Sequence, residues 1–87
     1  MSRRYEIHLT SSARKEVRDL EKPIASRIGT ALDNLATEPR PSGCRKLEGE
    51  VDSWRIRIGD YRIIYAIDDG AGTIRIVAVR HRREAYR

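Results

Sequence analysis

The stretch Trp54-Arg55-Ile56-Arg57-Ile58-Gly59-Asp60-Tyr61-Arg62-Ile63-Ile64-Tyr65 decides how this chain folds. Trp54, Ile56 and Ile58 alternate with Arg55 and Arg57, and Tyr61, Ile63 and Tyr65 resume the alternation after Gly59-Asp60. A period of two is the signature of a strand with one face buried. Gly at the first of two loop positions suits a type II′ turn, so the segment predicts a hairpin with Ile58 opposite Tyr61. In that register Arg57 falls directly across from Arg62, and Arg55 lies across from Ile64 on the same face. Trp54, Ile56, Ile58, Tyr61, Ile63 and Tyr65 form the opposite, core-facing side. Like charges paired across strands destabilise a sheet by up to roughly 1 kcal/mol, so a purely structural domain gains nothing from the arrangement. Three converging arginines do suit the several oxygens of a phosphodiester. The plainer alternative is that each arginine is solvated, or pairs with Glu48, Glu50 or Asp52.

Upstream, Tyr5, Ile7 and Leu9 alternate with Glu6 and His8 as a short strand. Thr10, Ser11 and Ser12 are N-cap residues, and Ala13, Val17 and Leu20 have helical spacing. Pro23 suits the first turn of a second helix, whose stripe is Ile24, Ile28, Leu32 and Leu35; Pro39 and Pro41 stop it. Downstream, Asp68 to Gly72 reads as a turn and Thr73 to Val79 as a β-branched strand. A basic tail, Arg80 to Arg87, closes the chain. The order β-α-α-β-β-β predicts one α+β domain over residues 1–87. It has an N-terminal strand, a helical hairpin on one sheet face, and an antiparallel sheet of about three further strands.

Composition narrows the function classes. At 87 residues the chain has room for one modest core and no separate cofactor domain. The lone Cys44 excludes an intrachain disulfide and fits a reducing compartment. No apolar run approaches the ~18 residues of a membrane span and no signal-like apolar region opens the chain, which points to a cytoplasmic, soluble protein. The net charge is +5, and 15 of the 18 cations are arginines. Arginine presents a planar fork to phosphate and stays charged when desolvated, so a polyanionic partner is the sharper reading beside a merely solvated surface.

Other chemistry finds little support. His8 has no acidic or histidine partner nearby. His81 sits in the basic cluster, as a phosphate contact, a proton shuttle or a bystander. No carboxylate pair has glycosidase or metal spacing, Asp68-Asp69-Gly70 lacks the remainder of a calcium loop, and Gly70-Ala71-Gly72 is followed by no helix. No metal or cofactor is expected. Tyr86 is oddly placed for a core aromatic; it is an edge packing residue or a ring that stacks on an exposed base.

The segments Lys46-Leu47-Glu48-Gly49, Trp54 to Tyr65, and Val77-Ala78-Val79-Arg80-His81-Arg82-Arg83-Glu84-Ala85-Tyr86 resemble the RelE/ParE superfamily of toxin–antitoxin toxins. The likeness spans nearly the whole chain. It implies a RelE-like fold and a toxin that cuts mRNA in the ribosomal A site and so inhibits translation. In such toxins the reaction needs no metal, the 2′-hydroxyl is the nucleophile and a cyclic phosphate is left. Carried over, the catalytic set is Arg55, Arg57, Arg62, Arg82 and Tyr86, with Lys46, Arg80, His81 and Arg83 as substrate contacts. Arg55 and Arg57 stand where the best-known members carry lysines; arginine keeps the charge but has no readily lost proton. The spacing to Tyr86 is one residue short, which leaves Arg80 and Arg83 as rivals of Arg82. The resemblance also implies a small RelB-like antitoxin whose acidic tail wraps the domain, together with ribosome and mRNA. Two further readings accompany it: a ParE-like inhibitor of DNA gyrase, and a non-catalytic basic module that binds RNA or the ribosome.

Overall fold

The computed structural model describes residues 4–49 and 52–81. The elements are β1 (Glu6–Leu9), α1 (Ser11–Arg18), α2 (Lys22–Thr37), β2 (Arg45–Lys46), β3 (Ser53–Ile58), β4 (Tyr61–Asp68) and β5 (Thr73–His81). The strands form a five-stranded sheet in the order β1-β5-β4-β3-β2. This is the α+β architecture that the alternations predict, with two differences. Arg45 and Lys46 add a two-residue edge strand, and β1 pairs with β5 in parallel rather than antiparallel. Alternation along a strand reports which face is buried but not the partner or its direction, so neither detail was legible locally.

Local chemistry accounts for the helices. Thr10 is the N-cap of α1: its Oγ1 accepts the Ala13 N–H at 3.1 Å and donates to the Val77 carbonyl at 3.2 Å, tying the helix start to β5. Pro23 lies in the first turn of α2, where its missing N–H costs nothing. The predicted stripe of α2 is the buried one: Ile28, Leu32 and Leu35 join Ile63, Tyr65, Ile67, Ile74, Ile76 and Val79 in the core, with Ile24 packed at its edge. Each fully buried aliphatic side chain contributes about 1.5–3 kcal/mol. Both helices therefore cover one face of the sheet and leave the other open.

The β3–β4 hairpin has the expected register, Ile58 opposite Tyr61 and Arg57 opposite Arg62. Gly59 has φ +59° and Asp60 is not in the left-handed region, as a type II′ turn requires. A Cβ on Gly59 would also lie 3.2 Å from Arg27 Nη1. Gly59→Ala is therefore expected to lower stability by about 1–2 kcal/mol, chiefly from backbone strain, because the Arg27 side chain can swing away. Urea unfolding of the two proteins checks this, and equal midpoints would contradict it.

A bulge interrupts the β4–β5 ladder. Tyr65 pairs with Ile76 but Ile64 pairs with Ala78, so Val77 is an extra residue on β5 and stands exposed. Before it, Ile74 and Ile76 face the core. After it the phase shifts by one: Val79 is inward, opposite Ile63, and Arg80 is outward, opposite Arg62.

At the other end of the sheet Arg40 ties three segments together. Its guanidinium pairs with Asp52 and, at 2.9 Å, with Asp69, and it lies 5.3 Å from the Trp54 ring. Trp54 Nε1 donates to Asp52 at 2.6 Å and the Tyr5 hydroxyl donates to Asp69 at 2.6 Å. The hydrogen bond to Asp69 raises the Arg40 pKa further above its already high value, against the opposing effect of partial burial. The network is partly exposed, so Arg40→Ala is expected to cost about 1 kcal/mol, less at high salt. Thermal denaturation at two salt concentrations measures both.

Candidate active site

The open face of the sheet is an arginine face. Arg57 on β3, Arg62 on β4 and Arg80 on β5 occupy successive cross-strand positions, so three cations form one row across three strands. The next row holds Arg45 on β2 opposite Arg55 on β3, then Ile64 on β4 and Ala78 on β5. Between the rows lies a groove of about 340 Å³ lined by Gly43, Arg45, Arg55, Ile56, Arg57 and Arg62. Arg62 is half-buried and its Nε is enclosed. Arg57 is exposed, and its Nε donates to the Gly59 carbonyl at 3.1 Å, which fixes the guanidinium beside the turn.

Among the described residues, the pairing partners weighed for these arginines do not meet Arg45, Arg55 or Arg57. Asp52 serves Arg40 and Trp54, Glu48 makes no ion pair among the described residues, and Glu50 lies outside them. Among the described residues, Arg45, Arg55 and Arg57 have no carboxylate partner. Arg80 does: its Nε lies 3.2 Å from Glu16 Oε2. Arg45, Arg55 and Arg57, cations on one sheet face with no carboxylate partner among the described residues, are suited to an anion with several oxygens.

The candidate residues divide by position. Arg55, Arg57 and Arg62 line the groove together and Arg80 continues the row of Arg57 and Arg62. Lys46 does not join them: it pairs with Trp54, on the side of the sheet that the helices cover. His81 is placed on that side as well, opposite Tyr61, with the two rings edge to face at 5.2 Å. Both departures have one cause. A residue's face follows from its pairing, and the pairings of β2 and of the shifted end of β5 are not visible in the chain order. Arg82, Arg83 and Tyr86 lie outside the described residues. Arg45 is the charged lining residue absent from the sequence-predicted set. Its signal is the Arg45-Lys46 pair just before the Gly49 turn, at a distance that lets it fold back along β3. Among the described residues no group of three or more His, Cys, Asp or Glu side chains is placed to hold a metal ion. No helix among them is long and apolar enough to cross a membrane.

The family model described as ParE toxin of type II toxin–antitoxin system, parDE, matches residues 7–86. The chain belongs to the RelE/ParE superfamily of type II toxin–antitoxin toxins. It is 32% identical over 84 residues to toxin RelG of Mycobacterium tuberculosis, covering 95% of this chain and 97% of RelG. It is 31% identical over 85 residues to toxin RelE of the same organism, covering 95% of this chain and 87% of that one. Among solved structures, the archaeal RelE–RelB complex from Pyrococcus horikoshii OT3 matches with a TM-score of 0.82 and 31% identity, over 90% of this chain and 94% of that one. A RelE/ParE toxin thus presents its arginine rows on the sheet face opposite its helices.

Proposed function

We propose that this toxin is a ribosome-dependent endoribonuclease that cleaves mRNA in the ribosomal A site and so halts translation in the cytoplasm. The observation that carries the reading is the row Arg57–Arg62–Arg80 beside the Arg45–Arg55 groove, an arrangement held against cross-strand repulsion. In this reading the 2′-hydroxyl oxygen attacks the adjacent phosphorus and the bond to the 5′-oxygen breaks. A 2′,3′-cyclic phosphate and a 5′-hydroxyl result, the proton passing from nucleophile to leaving group. Negative charge builds on the phosphoryl oxygens in flight, and a preorganised set of guanidinium groups stabilises it without waiting for solvent. Arg62 and Arg82 clamp the scissile phosphate, Arg55 and Arg57 position the backbone or serve the leaving group, and Tyr86 orients or stacks the base. Arg83 is assigned to a flanking contact, while Lys46 and His81, on the far side of the sheet, are left to contacts outside the groove. The partner in the cell is a RelB-like antitoxin with an acidic segment that folds on the basic face, in keeping with the RelE–RelB complex among the similar structures.

Primer extension on an mRNA translated in a purified system tests the proposal. Breaks at the A-site codon that vanish when ribosomes are omitted are the expected result, and Tyr86→Phe then reports whether the hydroxyl takes part. Growth arrest on expression with no mRNA breaks would overturn the nuclease and redirect the search to another target, DNA gyrase first. An unbroken mRNA with no arrest would leave a binding module.

A further inference from the structure

We propose that Glu16, on α1, is a positioning residue that holds Arg80 in the arginine row. The proposal rests on the nuclease reading above and adds a component to its site. The parallel strand β1 pairs with β5 only over Thr73 to Ile76, so beyond that point the β5 edge needs other partners. The N-cap of α1 and the helix itself supply them. Thr10 donates to the Val77 carbonyl, and Glu16 Oε1 accepts the Val79 N–H at 3.0 Å, in a half-buried position. Its second oxygen, Oε2, accepts from Arg80 Nε at 3.2 Å.

One carboxylate therefore grips the strand and its arginine at once. Contact through Nε takes one of the five guanidinium donors and leaves the Nη groups to meet a phosphate oxygen. The negative charge also offsets the repulsion that Arg80 meets from Arg62 directly opposite. Without it the Arg80 side chain would swing out into water, and the row would have to reassemble each time substrate bound. Glutamine cannot replace it, because an amide has one acceptor oxygen for two donors and no charge.

Single-turnover cleavage by wild type, Glu16→Gln, Arg80→Ala and the double variant on programmed ribosomes tests this, with the Arg80 Nε–H signal followed by NMR. Glu16→Gln is expected to lower the rate at saturating ribosome by about tenfold with little change in half-saturating concentration. The double variant is expected to match Arg80→Ala alone, because a residue acting through another adds nothing once that other is gone. The Arg80 signal should be protected from exchange in wild type and lose that protection in Glu16→Gln. A wild-type rate in Glu16→Gln, or independent losses in the double variant, would overturn the proposal and leave Glu16 a purely structural cap. No cleavage by wild type would overturn the catalytic role together with the nuclease reading. A protected Arg80 signal would then place the fault in that reading and not in the tether.

Discussion

Arg62→Ala is expected to reduce single-turnover A-site cleavage by about 10²–10³-fold, the usual cost of removing one preorganised donor from a developing oxyanion. Arg62 is the middle of the row, with Arg57 on one side and Arg80 on the other, and it is the most enclosed of the three. The same central place sets it opposite two like charges, Arg57 and Arg80. Removing it relieves two like-charge pairs, each worth some tenths of a kcal/mol, against the lost packing of its aliphatic stem. Folding stability should consequently stay within about 1 kcal/mol of wild type, and a melting curve beside the cleavage assay separates the two effects. A fully active Arg62→Ala protein would remove this residue from the phosphate clamp.

The second large effect is at Tyr65. Its side chain is wholly buried between α2 and the sheet, and its hydroxyl donates to the Pro39 carbonyl at 2.8 Å, fastening the loop after α2. Truncating a buried aromatic costs about 3–5 kcal/mol. A chain of this length has only roughly 4–13 kcal/mol in hand, at about 0.05–0.15 kcal/mol per residue. Tyr65→Ala should thus be largely or wholly unfolded near physiological temperature, as circular dichroism would show. Tyr65→Phe keeps the ring and loses only the hydrogen bond, about 1 kcal/mol, with the Pro39 carbonyl left short of a donor. A fully stable Tyr65→Ala protein would contradict the packing.

Burial first, and then neighbouring Cys44, push the Tyr65 hydroxyl well above its ordinary pKa. Folding therefore favours the neutral phenol. That contribution is complete below about pH 10, where the unfolded tyrosine begins to ionise, and is lost as pH rises toward the raised value. Urea midpoints for wild type should accordingly fall more steeply above pH 10 than those of Tyr65→Phe.

Much of this was legible in the chain because the informative segments are local. The α2 stripe, the proline boundaries and the Gly59 turn each state their geometry within a few residues, and the turn alone set Arg57 against Arg62. The parts that were not legible depend on distant pairing. Arg45 reaches the groove only because β2 returns along β3, and Lys46, its neighbour, is carried to the far side by the same return. The tie from Glu16 to Arg80 spans 64 positions of sequence, and nothing around either residue announces the other. His81 looked like a member of the basic cluster because the residues flanking it are basic, yet strand geometry sends it toward Tyr61.

The bulge at Val77 gives the arginine face a digital character. Strand geometry offers residue 80 two destinations, the oily interior or the charged exterior, and parity selects between them. One additional amino acid in β5 sets the parity, so an insertion or deletion there is worth more to the surface than any substitution. Lineages that share this scaffold can therefore gain or discard the third cation of the row in a single indel, with every arginine codon untouched. Strand length near position 77 becomes as informative as residue identity about which cations this face presents.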